Sequence, residues 1–199
     1  MRLFVAIDTN SIDVEKLQNY LFSKFNFNPH NVKPIKKDNI HITIKFLGEK
    51  TEPETKDIVS DLAKIRFDAF KILFNKLGVF PHMRSPRIIW LGFDDQSNKK
   101  LNDVYLQINT VLKKYDIGNN RGARNKHSSA IEKFFPHLTI FRIHNNYMLP
   151  NFISSLPDGL IPQEEEEVNT ISLKKSNITS KGPVYSDLYR IHASKRNAL

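Results

Sequence analysis

Residues 41–48 read HITIKFLG and residues 137–142 read HLTIFR. In the first stretch Ile42, Ile44 and Phe46 alternate with His41, Thr43 and Lys45, the period of a strand with one buried face. Both stretches carry His, an aliphatic residue, Thr and a second aliphatic residue in that order, 137 − 41 = 96 positions apart. Seven histidines and eight threonines in 199 residues would give roughly 7 × 8/199, or about 0.3, His-x-Thr triplets by chance. Two occur, each in strand-like surroundings, so coincidence is a poor explanation.

On a strand, residues i and i+2 point the same way, so each motif sets an imidazole beside a hydroxyl on the face opposite the buried aliphatics. If the two strands flank one groove, two imidazoles face each other across it. That arrangement suits in-line attack at phosphorus. One ring takes a proton from the nucleophile while the other supplies one to the leaving oxygen, and an imidazole of pKa about 6.5 can fill either role. The hydroxyls would hold non-bridging oxygens, with a cation offsetting the charge that develops. A single strand histidine is ordinarily a hydrogen-bonded structural residue, but two in matched settings argue for chemistry. A His–His zinc site would want a third protein ligand, and neither motif has one at an obvious spacing.

Outward from the motifs, strands and helices alternate in two rough halves. RLFVAI at 2–7 reads as a buried strand and Ser11 to Phe25 as a helix. Thr51 stands three before Glu54 in capping-box spacing, and Ile58, Val59, Leu62 and Ile65 continue an apolar stripe towards Arg66. Phe70, Ile72 and Phe74 alternate, RIIWLGF at 87–93 is another strand, and Leu101, Val104, Tyr105, Ile108, Leu112 and Tyr115 mark a third helix.

Residues 116–133, DIGNNRGARNKHSSAIEK, lose all periodicity and read as a polar, basic insertion that either grips RNA or decorates the surface. FFPHLTIFRI resumes strand character, residues 145–156 have room for a short helix, and EEEE at 164–167 reads as a solvated charge run. TISLKKS and PVYSDLYRIHA close as a hairpin across Ser180–Pro183. The closing hairpin and the lack of a Gly-rich phosphate loop favour antiparallel α+β over a doubly wound sheet. By parity Lys45 shares the His41 face and could reach phosphate, whereas Phe4 and Phe46 read as core.

A formal charge of 30 − 21 = +9 draws the molecule to polyanions, nucleic acid first among them. With no cysteine, disulfides, thiolate nucleophiles and Cys-bound zinc are excluded. The N-terminal apolar run, Leu3 to Ile7, is too short for a signal segment or a membrane span, so a cytoplasmic protein without membrane contact is expected.

HITIKFLGE and FPHLTIFR resemble the paired HxTx signatures of the 2H phosphoesterase superfamily. More narrowly, the chain is similar to the RNA 2′,3′-cyclic phosphodiesterases historically called 2′-5′ RNA ligases. MRLFVAID, GVFPHMRSPRIIWLG and SLKKSNITSKGPVY look like that family's flanking segments. The resemblance implies one bilobal domain over residues 1–199. It would have two pseudo-symmetric lobes, each an antiparallel sheet with helices on its outer face, and a central cleft lined by the two HxT strands. It further implies hydrolysis of RNA 2′,3′-cyclic phosphate ends, tRNA fragments among them, to 2′-phosphates by a monomer that needs neither metal nor cofactor.

Carried over by position, His41 is the proton donor to the departing 3′ oxygen and His137 the acceptor from water. Thr43 and Thr139 are the phosphate-binding hydroxyls, and Arg142 is the basic residue after the second motif. Arg142 lies five positions past His137, so a regular strand would send it to the wrong face unless the strand twists or bulges near Phe141. Rival readings are 2′-5′ joining of RNA ends on the same site, another cyclic phosphate as substrate, and a noncatalytic RNA-binding module.

Overall fold

A computed structural model describes the chain except residues 10–11, 117–133, 146, 150, 158, 162–163, 181 and 195–199. The basic insertion beyond Asp116 therefore lies outside the described residues. In chain order the elements are β1 (Arg2–Asp8), α1 (Val14–Lys24), β2 (Val32–Pro34), β3 (His41–Glu49), α2 (Glu52–Leu62) and β4 (Phe70–Phe80). Then follow β5 (Ile88–Phe93), α3 (Asp95–Leu112), β6 (Leu138–Ile143), β7 (Glu165–Val168), β8 (Thr170–Thr179) and β9 (Gly182–His192).

Side-chain caps decide where the helices begin. Asp13 accepts from the Lys16 amide and starts α1 later than its apolar stripe suggests. Thr51 and Glu54 close the expected capping box on α2. Asp94 accepts from the Ser97 amide and starts α3 before its first apolar residue, Leu101. Within 145–156 only a short 3-10 turn, Ile153–Ser155, forms.

The fold is α+β, as expected, and its sheet has the order β7-β4-β5-β6-β3-β1-β8-β9 with β2 also on β6. Every ladder between named strands is antiparallel. The two motif strands are the central neighbours, each the innermost of a four-strand run. One face packs on the helices: Leu3, Val5, Ile7, Ile42, Leu91, Leu138 and Phe141 are buried with Leu17 and Leu21 of α1, Ile58 and Leu62 of α2, and Leu101 and Ile108 of α3. The other face is left for a site.

EEEE does not behave as a free charge run. Glu165–Val168 forms the edge strand β7 on β4, with Glu166 buried opposite Ile72, because residues of even number face inward while Glu165 and Glu167 stay in water. Among the described residues no helix is long and apolar enough to cross a membrane.

Candidate active site

The seam between β3 and β6 is a single register pair, Ile42 opposite Leu138, both fully buried on the helix-covered face. One step to either side, antiparallel register sets His41 by Thr139 and Thr43 by His137, all four on the opposite face. The motifs run past each other and make one patch of two imidazoles and two hydroxyls.

Both motif strands are bulged at the same offset. Against β1, Thr43 pairs with Ala6 and Lys45 with Val5, so Ile44 is an extra residue. Against β5, Thr139 pairs with Trp90 and Phe141 with Ile89, so Ile140 is extra. An inserted residue reverses the alternation beyond it. The residue five after each histidine, Phe46 in one motif and Arg142 in the other, thereby returns to the histidine face.

This overturns two expectations. Phe46 is 74% exposed, with its ring 6.3 Å from Phe4, and is not core. Phe4 is buried, but against the site rather than the helices, 5.0 Å from the His41 ring. Lys45 is turned the other way, under α3, where its ammonium meets Asp116 at 2.6 Å and donates to Asn109 at 2.7 Å. The structure does not bring it to the histidines.

Each histidine is held alike. Nδ1 of His41 lies 2.8 Å from the Asn39 carbonyl and Nδ1 of His137 lies 2.9 Å from the Phe135 carbonyl, in both cases two residues back. A carbonyl can only accept, so Nδ1 carries the hydrogen and Nε2 is left for chemistry. Nε2 of His41 is 3.0 Å from the Thr43 hydroxyl. Aromatic rings wall both sides: Phe4 and Tyr185, 5.2 Å away, enclose His41. Phe80 at 5.4 Å and Trp90 at 6.4 Å enclose His137.

Burial within these walls pushes both imidazoles below their ordinary value. The carbonyl bonds of Asn39 and Phe135 oppose it. The rings differ in charged surroundings. Asp8, directly opposite His41 on β1, favours its protonated form, while Lys174 and Arg142 disfavour it; His137 has no such carboxylate among the described residues. Asp8 is held by Lys174 at 2.9 Å, and Lys174 also binds Asp187 at 2.6 Å. Burial draws the Lys174 ammonium down, but Asp187 and Asp8 outweigh it and the net displacement is upward.

Residues 13–90, which include the first motif, match the family model for LigT-like phosphoesterases. An RNA 2′,3′-cyclic phosphodiesterase of Aeropyrum pernix is 32% identical over 164 residues, covering 82% of this chain and 87% of that one. One of Archaeoglobus fulgidus is 32% identical over 191 residues, covering 94% and 98%. The chain belongs to the LigT-like phosphoesterase family. Escherichia coli LigT complexed with 3′-AMP shares the fold of this family member, with a TM-score of 0.71 over 98% of both chains at 23% identity.

Within this LigT-like chain, the reading of sequence alone missed Asp8, Lys174, Tyr185 and Trp90. Lys174 and Tyr185 lie inside the quoted SLKKSNITSKGPVY flank, which was their one signal. Nothing local to a lysine reveals that two carboxylates from other strands meet it. Among the described residues no group of three or more His, Cys, Asp or Glu is placed to hold a metal ion.

Proposed function

We propose that this protein opens 2′,3′-cyclic phosphates at RNA ends and leaves a 2′-phosphate. The observation that carries the reading is the apposition of the two His-x-Thr motifs through Ile42 and Leu138, with both Nδ1 hydrogens committed to carbonyls. Phosphorus would lie between the two Nε2 atoms, with the Thr43 and Thr139 hydroxyls donating to its non-bridging oxygens and Arg142 offsetting their charge. Nε2 of His137 takes a proton from water as the new O–P bond forms. Nε2 of His41 gives its proton to the 3′ oxygen as that O–P bond breaks, so protons balance across the step.

Both rings favour the neutral state in the free protein, and an anionic phosphate between them favours charging. Asp8 favours a proton on His41, against Lys174 and Arg142, and no carboxylate among the described residues does the same for His137, which supports His41 as the acid. RNA as substrate class is supported by the net charge of +9 and by the names of the relatives. Phe46, an exposed ring beside the histidine patch, offers a face on which the terminal base can stack.

The test is incubation with an oligonucleotide ending in a 2′,3′-cyclic phosphate, in the presence of EDTA. A 2′-phosphate product is expected, and His41→Ala or His137→Ala should each lose about 10²–10⁴-fold in kcat. A 3′-phosphate, a joined 2′-5′ product or inhibition by EDTA would contradict the scheme.

A further inference from the structure

Past the bulge at Ile140, β6 takes β2 as its neighbour: Val32 pairs with Ile143, Lys33 with Arg142 and Pro34 with Phe141. Directly paired residues share a face. Arg142 is on the histidine face, so Lys33 stands beside it there, while Val32 and Ile143 are buried on the other side. The patch thus extends into two rows, Thr43–His41–Lys33 along one side and His137–Thr139–Arg142 along the other.

Like charges set directly opposite across a ladder repel. Three cations nearby are neutralised, Lys45 by Asp116, Lys174 by Asp8 and Asp187, and Arg190 by Asp187, whereas Arg87, beside the Ile88 that pairs with Arg142, has no ion pair among the described residues and adds to the positive field. Among the described residues no carboxylate pairs with Lys33 or Arg142, and both side chains are exposed. With Arg142 offsetting the reacting phosphate, Lys33 is left beside it as a cation with no counter-charge among the described residues.

We propose that Lys33 and Arg142 form a second phosphate subsite. It takes the phosphate on the 5′ side of the terminal nucleotide while the cyclic phosphate lies between the histidines. The proposal rests on the function proposed above. Two residues, Phe141 and the bulged Ile140, separate Thr139 from Arg142, a span of about 7–10 Å. A group held at Lys33 is therefore a neighbour of the reacting phosphate. Arg142 lies between the two, and its fork of five N–H donors can serve both. The chain then selects ends that continue as RNA over free nucleoside cyclic phosphates.

Binding of two product analogues, adenosine 2′-monophosphate and adenosine 2′,5′-bisphosphate, tests this by titration calorimetry without any turnover. In the unsubstituted protein the 5′-phosphate should tighten binding about 10-fold or more, as a charge-assisted pair does. Lys33→Ala should lose most of that gain, Lys33→Glu all of it, and Lys33→Arg should keep it. Raising salt should weaken the bisphosphate more steeply than the monophosphate, and the difference should vanish in Lys33→Ala.

Equal binding of both ligands, no measurable binding of the bisphosphate, or a full 5′ preference in Lys33→Ala would each overturn the subsite. Turnover of cyclic ends with no 5′ preference would refute the subsite alone. A 5′ preference with no turnover would support it and count against the proposed reaction.

Discussion

Replacing Lys174 by Met keeps the apolar stem and removes the ammonium that holds Asp8 at 2.9 Å and Asp187 at 2.6 Å. The Lys174 side chain is 10% exposed and that of Asp187 17%, so the change strands a carboxylate that is largely out of water. Breaking one partner of a buried pair costs about 3–5 kcal/mol. Two features reduce it: Asp8 is 43% exposed and solvent-screened, and Arg190 still holds Asp187 at 2.7 Å. A net loss of about 2–3 kcal/mol remains, and for a chain of this length it lowers Tm by roughly 4–12 °C.

The same change acts on His41. Lys174 disfavours the imidazolium and Asp8 favours it, so removing the lysine raises the His41 pKa. An acid catalyst must be protonated, so the alkaline limb of the kcat/KM profile should move to higher pH; the acid limb, set by His137, should stay. NMR titration of both rings, with pH–rate profiles at a temperature below either Tm, measures this. If His41 in Lys174→Met titrates at the same or a lower pH, the electrostatic coupling drawn from the strand pairing is wrong.

Other substitutions and conditions test the remaining geometry. A Cβ on Gly78 would run into the Trp90 indole, with Cε2 2.7 Å away, so Gly78→Ala should cost about 1–3 kcal/mol. Because Trp90 walls His137, it should also lower kcat, and an unchanged Tm would refute the packing. Burial lowers both histidine pKa values, so the unfolded chain binds more protons as pH falls past about 6.5. Stability should be full above that pH and be lost as pH falls through the lowered folded values; a Tm series from pH 8 to 5 should flatten in a His41→Gln, His137→Gln double variant. Phe46→Ala should raise KM for a cyclic-phosphate dinucleotide with little effect on Tm, since the ring is 74% exposed. Lys45→Met should do the reverse, losing about 1 kcal/mol with its Asp116 and Asn109 contacts, and a several-fold rise in KM would restore it to the site.

Much of this fold was legible because period and caps are local. The alternation in HITIKFL marks β3, Thr51 and Glu54 mark the start of α2, and the closing hairpin spans 170–192 as read. What escaped was set by distant partners. β2 is three residues with a proline, too short to carry a period, and exists as a strand through its ladder with β6. β7 escaped because four glutamates outweigh any alternation, although Glu166 and Val168 turn inward against β4.

The candidate site was half legible for a sharper reason. Parity from His41 predicts the side of every later residue only while the ladder is regular, and both motif strands break it three positions on, at Ile44 and Ile140. Neither isoleucine announces a bulge, since each fits the aliphatic pattern of a plain strand. Parity therefore placed Lys45 on the site and Phe46 in the core, and sent Arg142 to the wrong face. Bulges at matching offsets correct all three at once. The repeated unit is thus longer than His-x-Thr. It runs six residues and delivers an imidazole, a hydroxyl and a sixth-place side chain to one face, an aromatic ring from one strand and a guanidinium from the other. That difference between otherwise matched strands gives the patch a polarity: a cation for phosphate past His41 and Thr139 at one end, and a surface for a base past Thr43 and His137 at the other.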